Sequence, residues 1–121
     1  MSTAESRVTT KRATIDVINS AYERTQFTPK AGVWKDGACA CVMTTLAIAN
    51  ANCAPTGANY CRANVFSALM PLGYSMDYMS GFIVGFDGAA DGVDYSDTDW
   101  CIGIEDGKAA RAHFLAAGVA L

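Results

Sequence analysis

Apolar residues recur at helical spacing along most of the chain, and the intervals between these stretches are rich in turn residues. Capping or breaking residues bound the stretches, such as Ser75 before the fourth and Pro71 with Gly73 after the third. Five short helices are predicted: from Thr9 or Thr10 to about Arg24, and over about 39–50, 58–69, 76–87 and 97–118. The pattern therefore predicts a mainly all-α fold, a compact bundle of about five helices.

The segment between the first two predicted helices is typical of a turn. Val33 and Trp34 precede Lys35-Asp36-Gly37, and such polar residues with glycine favour a chain reversal. We favour a turn that leads directly into the second helix, and one small β-hairpin over 33–40 is the alternative. Residues 1–8 are polar and are predicted to be a flexible N-terminus, which leaves 9–121 as a single helical domain.

A repeated aromatic–glycine pattern marks the fourth and fifth predicted helices. Spacings of three and four residues place each copy on one face of its helix. The two copies, offset by 22 residues, are Tyr78, Gly81 and Gly85, and Trp100, Gly103 and Gly107. Since glycine inside a helix costs about 1 kcal/mol relative to alanine, the repetition predicts close helix packing. We expect the two helices to form a hairpin, although the same faces also suit a homo-oligomer.

Composition restricts the class of protein. The 121 residues are 51% hydrophobic and 17% charged, which is typical of a folded domain rather than a disordered chain. The apolar runs are shorter than the ~20 residues of a membrane span, and the polar N-terminus does not resemble a signal peptide. We therefore expect a soluble, cytoplasmic protein whose five cysteines are mostly buried thiols.

Charge is distributed unevenly between the two halves of the chain. Residues 1–62 contain seven Lys/Arg and four Asp/Glu, a net charge of +3, whereas residues 63–121 contain two and eight, a net charge of −6. Such an acidic half argues against nucleic-acid binding and favours a protein partner with a basic surface. The predicted partner-binding residues belong to the acidic loop between the last two helices: Asp87, Asp91, Asp94, Tyr95, Asp97 and Asp99.

Two alternatives involve the cysteines. Cys39 and Cys41 lie where the second helix is predicted to begin, and helix N-terminal amides lower the pKa of a thiol. With the single histidine, His113, as base, either thiol would be the nucleophile of a cysteine-dependent hydrolase. A structural or self-assembling protein with cysteine-bound metal is the other alternative, and its ligands would be Cys39, Cys41, Cys53 and Cys61.

The favoured function is a small protein-binding or regulatory module that is not an enzyme and needs no cofactor or metal. Two segments together are similar to small uncharacterised proteins of bacteria and their phages: Trp-x-x-Gly-x-Cys-x-Cys followed by Leu-Ala-x-Ala, from Trp34 to Ala49, and Gly-Phe-x-x-Gly-Phe-Asp-Gly, from Gly81 to Gly88. The resemblance covers about half of the chain and implies no activity. A phage or mobile-element accessory factor that inhibits or modulates a host complex is a refinement of the binding hypothesis.

Overall fold

The computed structural model describes residues 10–50, 61–88 and 98–121. Within these ranges the chain is mainly helical, as predicted, with one very small sheet. The predicted N-terminal segment 1–8 and the start of the third predicted helix, 58–60, lie outside the described residues. In chain order the elements are α1 (Ile15–Thr25), β1 (Thr28–Pro29), β2 (Lys35–Asp36), β3 (Cys39–Ala40), α2 (Val42–Asn50), α3 (Arg62–Leu69), a 3₁₀ turn (Met70–Leu72), α4 (Met76–Phe86) and α5 (Thr98–Ala116).

The segment before α2 forms a three-stranded sheet with strand order β1-β3-β2. β2 and β3 are the antiparallel strands of the small hairpin, with Asp36 opposite Cys39, and β1 adds a parallel strand that the sequence pattern did not predict. The hairpin is confirmed, whereas the favoured direct turn into a helix from residue 39 is wrong. The Ala40 carbonyl of β3 accepts hydrogen bonds from the Lys30 amide and the Tyr22 hydroxyl. These hydrogen bonds hold β3 in an extended conformation.

The first helix begins at Ile15, five residues after the later of its two predicted starts, Thr10. Thr14 is its N-cap, and the Thr14 side chain accepts a hydrogen bond from the Val17 amide. Thr10 instead accepts a hydrogen bond from the Ser75 amide at 2.9 Å, while the Lys11 amide donates to the Gly73 carbonyl. Tertiary hydrogen bonds to the start of α4 therefore keep residues 10–13 out of the helix.

The glycine faces of α4 and α5 pack directly against each other. A Cβ atom added at Gly81 would overlap the carbonyl oxygen of Trp100, and one added at Gly85 would overlap that of Ile104. Contacts thus advance in the same direction along both helices, so α4 and α5 are parallel and the expected helical hairpin is wrong. Glycine is required because the two backbones approach too closely for any side chain.

The core lies where α1, α2 and α3 cover this helix pair. Ile18, Leu46 and Leu69 are fully buried, one from each of the three covering helices. α4 contributes successive aromatic rings, among them Phe82 and Phe86, whose centroids are 6.1 Å apart. None of the helices in the described part of the chain combines the length and apolar character needed to cross a bilayer.

Candidate functional site

A cleft of about 140 Å³ opens to solvent between the hairpin segment and the C-terminal part of α4. Its lining is mostly apolar, with one carboxylate and one thiol. The lining residues are Gly32, Val33, Trp34, Cys41, Val42, Met43, Phe82, Ile83 and Asp87. Concave, mostly apolar sites with a single placed polar group are typical of ligand and side-chain binding.

The hairpin positions one wall of the cleft. The carbonyl of Trp34, which directly precedes β2, accepts a hydrogen bond from the Cys41 amide at 3.3 Å, so both ends of the hairpin are held together. The half-buried Trp34 ring packs edge-on against Phe66 of α3, with centroids 6.2 Å apart. Two contacts on different elements therefore fix the position of the indole beside the cleft.

The opposite wall comes from α2 and α4. Val42 and Met43, the first residues of α2, are each 1% exposed, and Phe82 of α4 is completely buried. Only Cys41 separates β3 from α2, and the first turn of α2 lines the cleft together with Phe82 of α4. These buried side chains form the apolar base of the cleft, which is therefore built on helices rather than on loops.

Asp87 provides the charge at the rim. It follows the last residue of α4, and its amide donates to the Ile83 carbonyl at 2.9 Å, which caps the helix. One carboxylate oxygen accepts a hydrogen bond from the Gly32 amide at 3.0 Å. Gly32 has a φ of +79°, a conformation that favours glycine, so the turn that presents this amide depends on that residue. Asp87 is exposed, so its charge faces solvent at the cleft mouth.

A helix C-terminus is itself a region of partial negative charge, so the Asp87 carboxylate adds to the potential at the end of α4 rather than offsetting it. The Arg111 guanidinium donates a hydrogen bond to the Phe86 carbonyl at 2.9 Å from the α5 side. Arg111 is not part of the cleft lining. A carboxylate and a helix C-terminus therefore lie together at the mouth of a cleft whose lining is mostly apolar.

Cys41 lies at the cleft, but as a buried thiol rather than an activated one. It is 7% exposed, and its sulfur lies 3.4 Å from the Thr44 hydroxyl. Burial raises the pKa of the Cys41 thiol, and the nearby Asp87 charge acts in the same direction. Hydrogen bonds from Thr44 and from the Met43 amide favour the thiolate, as the sequence predicted, but desolvation outweighs them.

The structure does not bring the proposed cysteine–histidine pair together. His113 lies on α5 in a shallow groove beside α1, where its ring nitrogen Nε2 is 3.2 Å from the Asn19 side-chain oxygen. That groove has no cysteine in its lining, and Cys39 belongs to β3. The arrangement therefore lacks the contact that proton transfer from a nucleophile to its base requires.

The described ranges also contain no metal-binding cluster. No group of three or more His, Cys, Asp or Glu side chains within them could hold an ion. Cys39, Cys41 and Cys61 are unpaired thiols, and Cys61 is exposed at the N-terminus of α3. Cys53, the fourth predicted ligand, lies outside the described residues.

The predicted partner-binding residues have different environments. Asp87 stands at the cleft rim, whereas Asp99 lies in the first turn of α5 with 9% of its surface exposed. The Ser75 hydroxyl donates a hydrogen bond to the Asp99 carboxylate at 2.9 Å, which links the N-termini of α4 and α5. Asp99 is thus part of the helix packing rather than of an exposed loop. Asp91, Asp94, Tyr95 and Asp97 lie outside the described residues.

Sequence reasoning missed the apolar lining of the cleft. Helical periodicity indicates that Phe82 faces inward, but it does not show that a void remains beside it. The contact between Gly32 and Asp87 joins residues 55 positions apart, and local patterns contain no information about such pairs. The glycine within Lys30-Ala31-Gly32 was the one available signal, since it indicates a turn.

A search of protein-family models, curated proteins and solved structures finds no match to this chain. Its function is therefore inferred from the cleft and the charge distribution.

Proposed function

We propose that the protein is a small binding module whose acidic C-terminal half recognises a basic segment of a partner protein. The observation that supports this proposal is the position of Asp87, which is both the rim carboxylate of the cleft and the first residue of the acidic run. Seven of the eight acids in residues 63–121 fall between 87 and 106. An apolar cleft bordered by charge suits a protein interface, where an apolar centre is surrounded by a polar rim.

The charge pattern favours a basic partner over other ligands. A net charge of −6 in residues 63–121 repels nucleic acids and attracts basic surfaces, which increases the rate of association at low ionic strength. A cytoplasmic location follows as part of the proposal, as does a role as an accessory factor of a phage or mobile element. Such a factor would compete with nucleic acid for a basic surface of a host complex.

Short lysine-rich peptides that contain one apolar residue are suitable probes for the proposal. We expect them to bind with an affinity that decreases as salt increases, because exposed charges are screened. Replacing Asp91, Asp94 and Asp97 by lysine should weaken binding by about tenfold or more, as measured by fluorescence anisotropy.

The matched control reverses the same number of charges in the other half of the chain. Asp16, Glu23 and Asp36 are all exposed, and their replacement by lysine changes the net charge equally. Selective loss of binding in the first variant supports the proposal. Equal losses in both variants would show that binding depends on net charge alone. Either this result or undiminished binding in the first variant would refute an acidic binding surface.

A further inference from the structure

We infer that the cleft between the hairpin segment and α4 binds a primary alkylammonium group, namely the side chain of a lysine that the partner presents. The inference rests on the proposed function and identifies the group that the partner inserts. It follows from three properties of the cleft: its charge, its apolar lining and its volume.

The negative charge at the cleft mouth favours binding of a cation. One oxygen of the Asp87 carboxylate accepts the Gly32 amide, and the other has no partner among the described residues. The negative end of α4 lies at the same place, so both contributions to the potential have the same sign. Arg111 compensates the helix end from the α5 side through the Phe86 carbonyl, but the cleft lining contains no basic residue.

The lining matches the aliphatic part of a lysine. Val33, Trp34 and Ile83 are half-buried and offer apolar surface along which the methylene groups can pack while the charged end stays at the rim. The half-buried Trp34 also supplies an aromatic ring, and a cation within about 6 Å of a ring gains further attraction. A neutral apolar ligand would use the same walls but would leave the Asp87 charge without a partner.

The volume is that of a single side chain. A cavity of about 150 Å³ is known to hold a six-carbon ring in an apolar protein interior, and this cleft measures about 140 Å³. It therefore fits the four carbons and the ammonium nitrogen of a lysine, but not a peptide segment or a nucleotide.

The size of the cleft favours lysine over arginine. An ammonium is a compact point charge at the end of a four-carbon chain, whereas a guanidinium is a broad planar group that binds best when it contacts both oxygens of a carboxylate at once. Because the cleft measures about 140 Å³, the narrower group suits it better. A hard divalent cation is disfavoured because such ions need six or more oxygen ligands and the lining contains one carboxylate.

Titration with n-butylammonium chloride, monitored by amide and indole NMR resonances, tests this inference. We expect saturable shifts of the Gly32 amide and the Trp34 indole resonances. 1-Butanol, a neutral alcohol with the same number of non-hydrogen atoms, should bind at least about tenfold more weakly, and so should n-propylguanidinium, which corresponds to the arginine side chain. Equal or tighter binding of either compound would refute the assignment of a lysine ammonium.

Asp87→Asn is the decisive variant, since an amide oxygen can still accept the Gly32 hydrogen bond while the charge is removed. Its binding of n-butylammonium should decrease about tenfold or more, whereas Asp16→Asn, at an exposed site on α1, should bind as the wild type does. If Asp87→Asn alters the fold, Ile83→Phe provides a second test. The larger phenylalanine side chain fills the cleft without changing its charge, so this variant should not bind n-butylammonium. Undiminished binding in either folded variant would overturn the inference.

Peptide binding separates this inference from the proposed function. If lysine-rich peptides bind and the Asp91, Asp94 and Asp97 reversals weaken them, but Asp87→Asn does not, the binding module stands and the lysine cleft is wrong. If n-butylammonium binds through Asp87 but the peptides do not bind, the cleft site stands and the proposed protein partner is wrong.

Discussion

At the residue scale, the buried Tyr78 hydroxyl makes hydrogen bonds to two other parts of the chain. It accepts a hydrogen bond from the Ala13 amide at 2.8 Å and donates one to the Asp106 carboxylate at 2.7 Å. Asp106 in turn accepts two hydrogen bonds from the Arg12 guanidinium, at 2.6 and 3.0 Å. One buried hydroxyl thus joins the segment before α1 to both α4 and α5.

Replacing Tyr78 by phenylalanine should lower the free energy of unfolding by about 1–3 kcal/mol, because the buried Ala13 amide loses its acceptor. Urea unfolding measures this difference. Tyr74→Phe is the matched control: its ring is also buried, but its hydroxyl has no partner among the described residues, so we expect a change below about 0.5 kcal/mol. Equal effects in the two variants would contradict the role of the Tyr78 hydroxyl.

At the element scale, the 22-residue repeat corresponds to local twofold symmetry of the parallel helix pair. Added Cβ atoms at Gly81 and Gly103 would meet equivalent atoms: the carbonyl of Trp100 in one case and the carbonyl of Tyr78, 22 residues earlier, in the other. Gly85 and Gly107 form the second equivalent pair, against Ile104 and Phe82. This symmetry explains why the two copies use the same spacing, since each helix faces the other in the same register.

Alanine at any of these four glycines should destabilise the protein, although alanine favours an isolated helix by about 1 kcal/mol. The added methyl group meets backbone atoms that no rotamer change can move, so the helices must separate, at a cost of about 1–3 kcal/mol or more. Gly81→Ala and Gly103→Ala should lose similar amounts because their contacts are equivalent. Thermal unfolding measures the losses, and an increase in melting temperature would disprove the close approach of the helices.

At the scale of the whole molecule, several buried acids of high pKa are neutral in the folded state. Burial raises the pKa of Tyr22 and of Tyr78 above the ordinary tyrosine value of 10.0. The same effect raises the pKa of Cys41 above the ordinary thiol value of 9.0. Each group binds its proton more tightly in the folded chain than in the unfolded chain, so stability depends on pH in the alkaline range.

We expect the free energy of unfolding to decrease as the pH rises above about 9. A group whose pKa is raised on folding contributes stability that is complete below its unfolded pKa and is lost as the pH rises toward its folded pKa. Urea unfolding at a series of pH values, from pH 7 upward in steps of about one pH unit, measures how the free energy of unfolding changes with pH. Tyr22→Phe should reduce that slope, whereas a wild-type stability that is constant or increases above pH 10 would contradict the raised pKa values.

The sequence alone determined the helical class, most helix positions and the glycine faces, because these follow from local periodicity and capping. Ser75, for example, caps α4 as predicted, and its side chain accepts a hydrogen bond from the Tyr78 amide. The alternative hairpin within 33–40 was also visible from the turn residues Lys35-Asp36-Gly37.

Only the tertiary structure decided the direction of α5, the start of α1 and the existence of the cleft. Identical spacing of Gly81, Gly85, Gly103 and Gly107 fits parallel and antiparallel pairs equally well, since periodicity defines a face but not a direction. Likewise, helix propensity at Thr10 was overridden by its hydrogen bond to Ser75, 65 residues away. The cleft depends on the Gly32–Asp87 contact and on packing between distant elements, which no local pattern specifies.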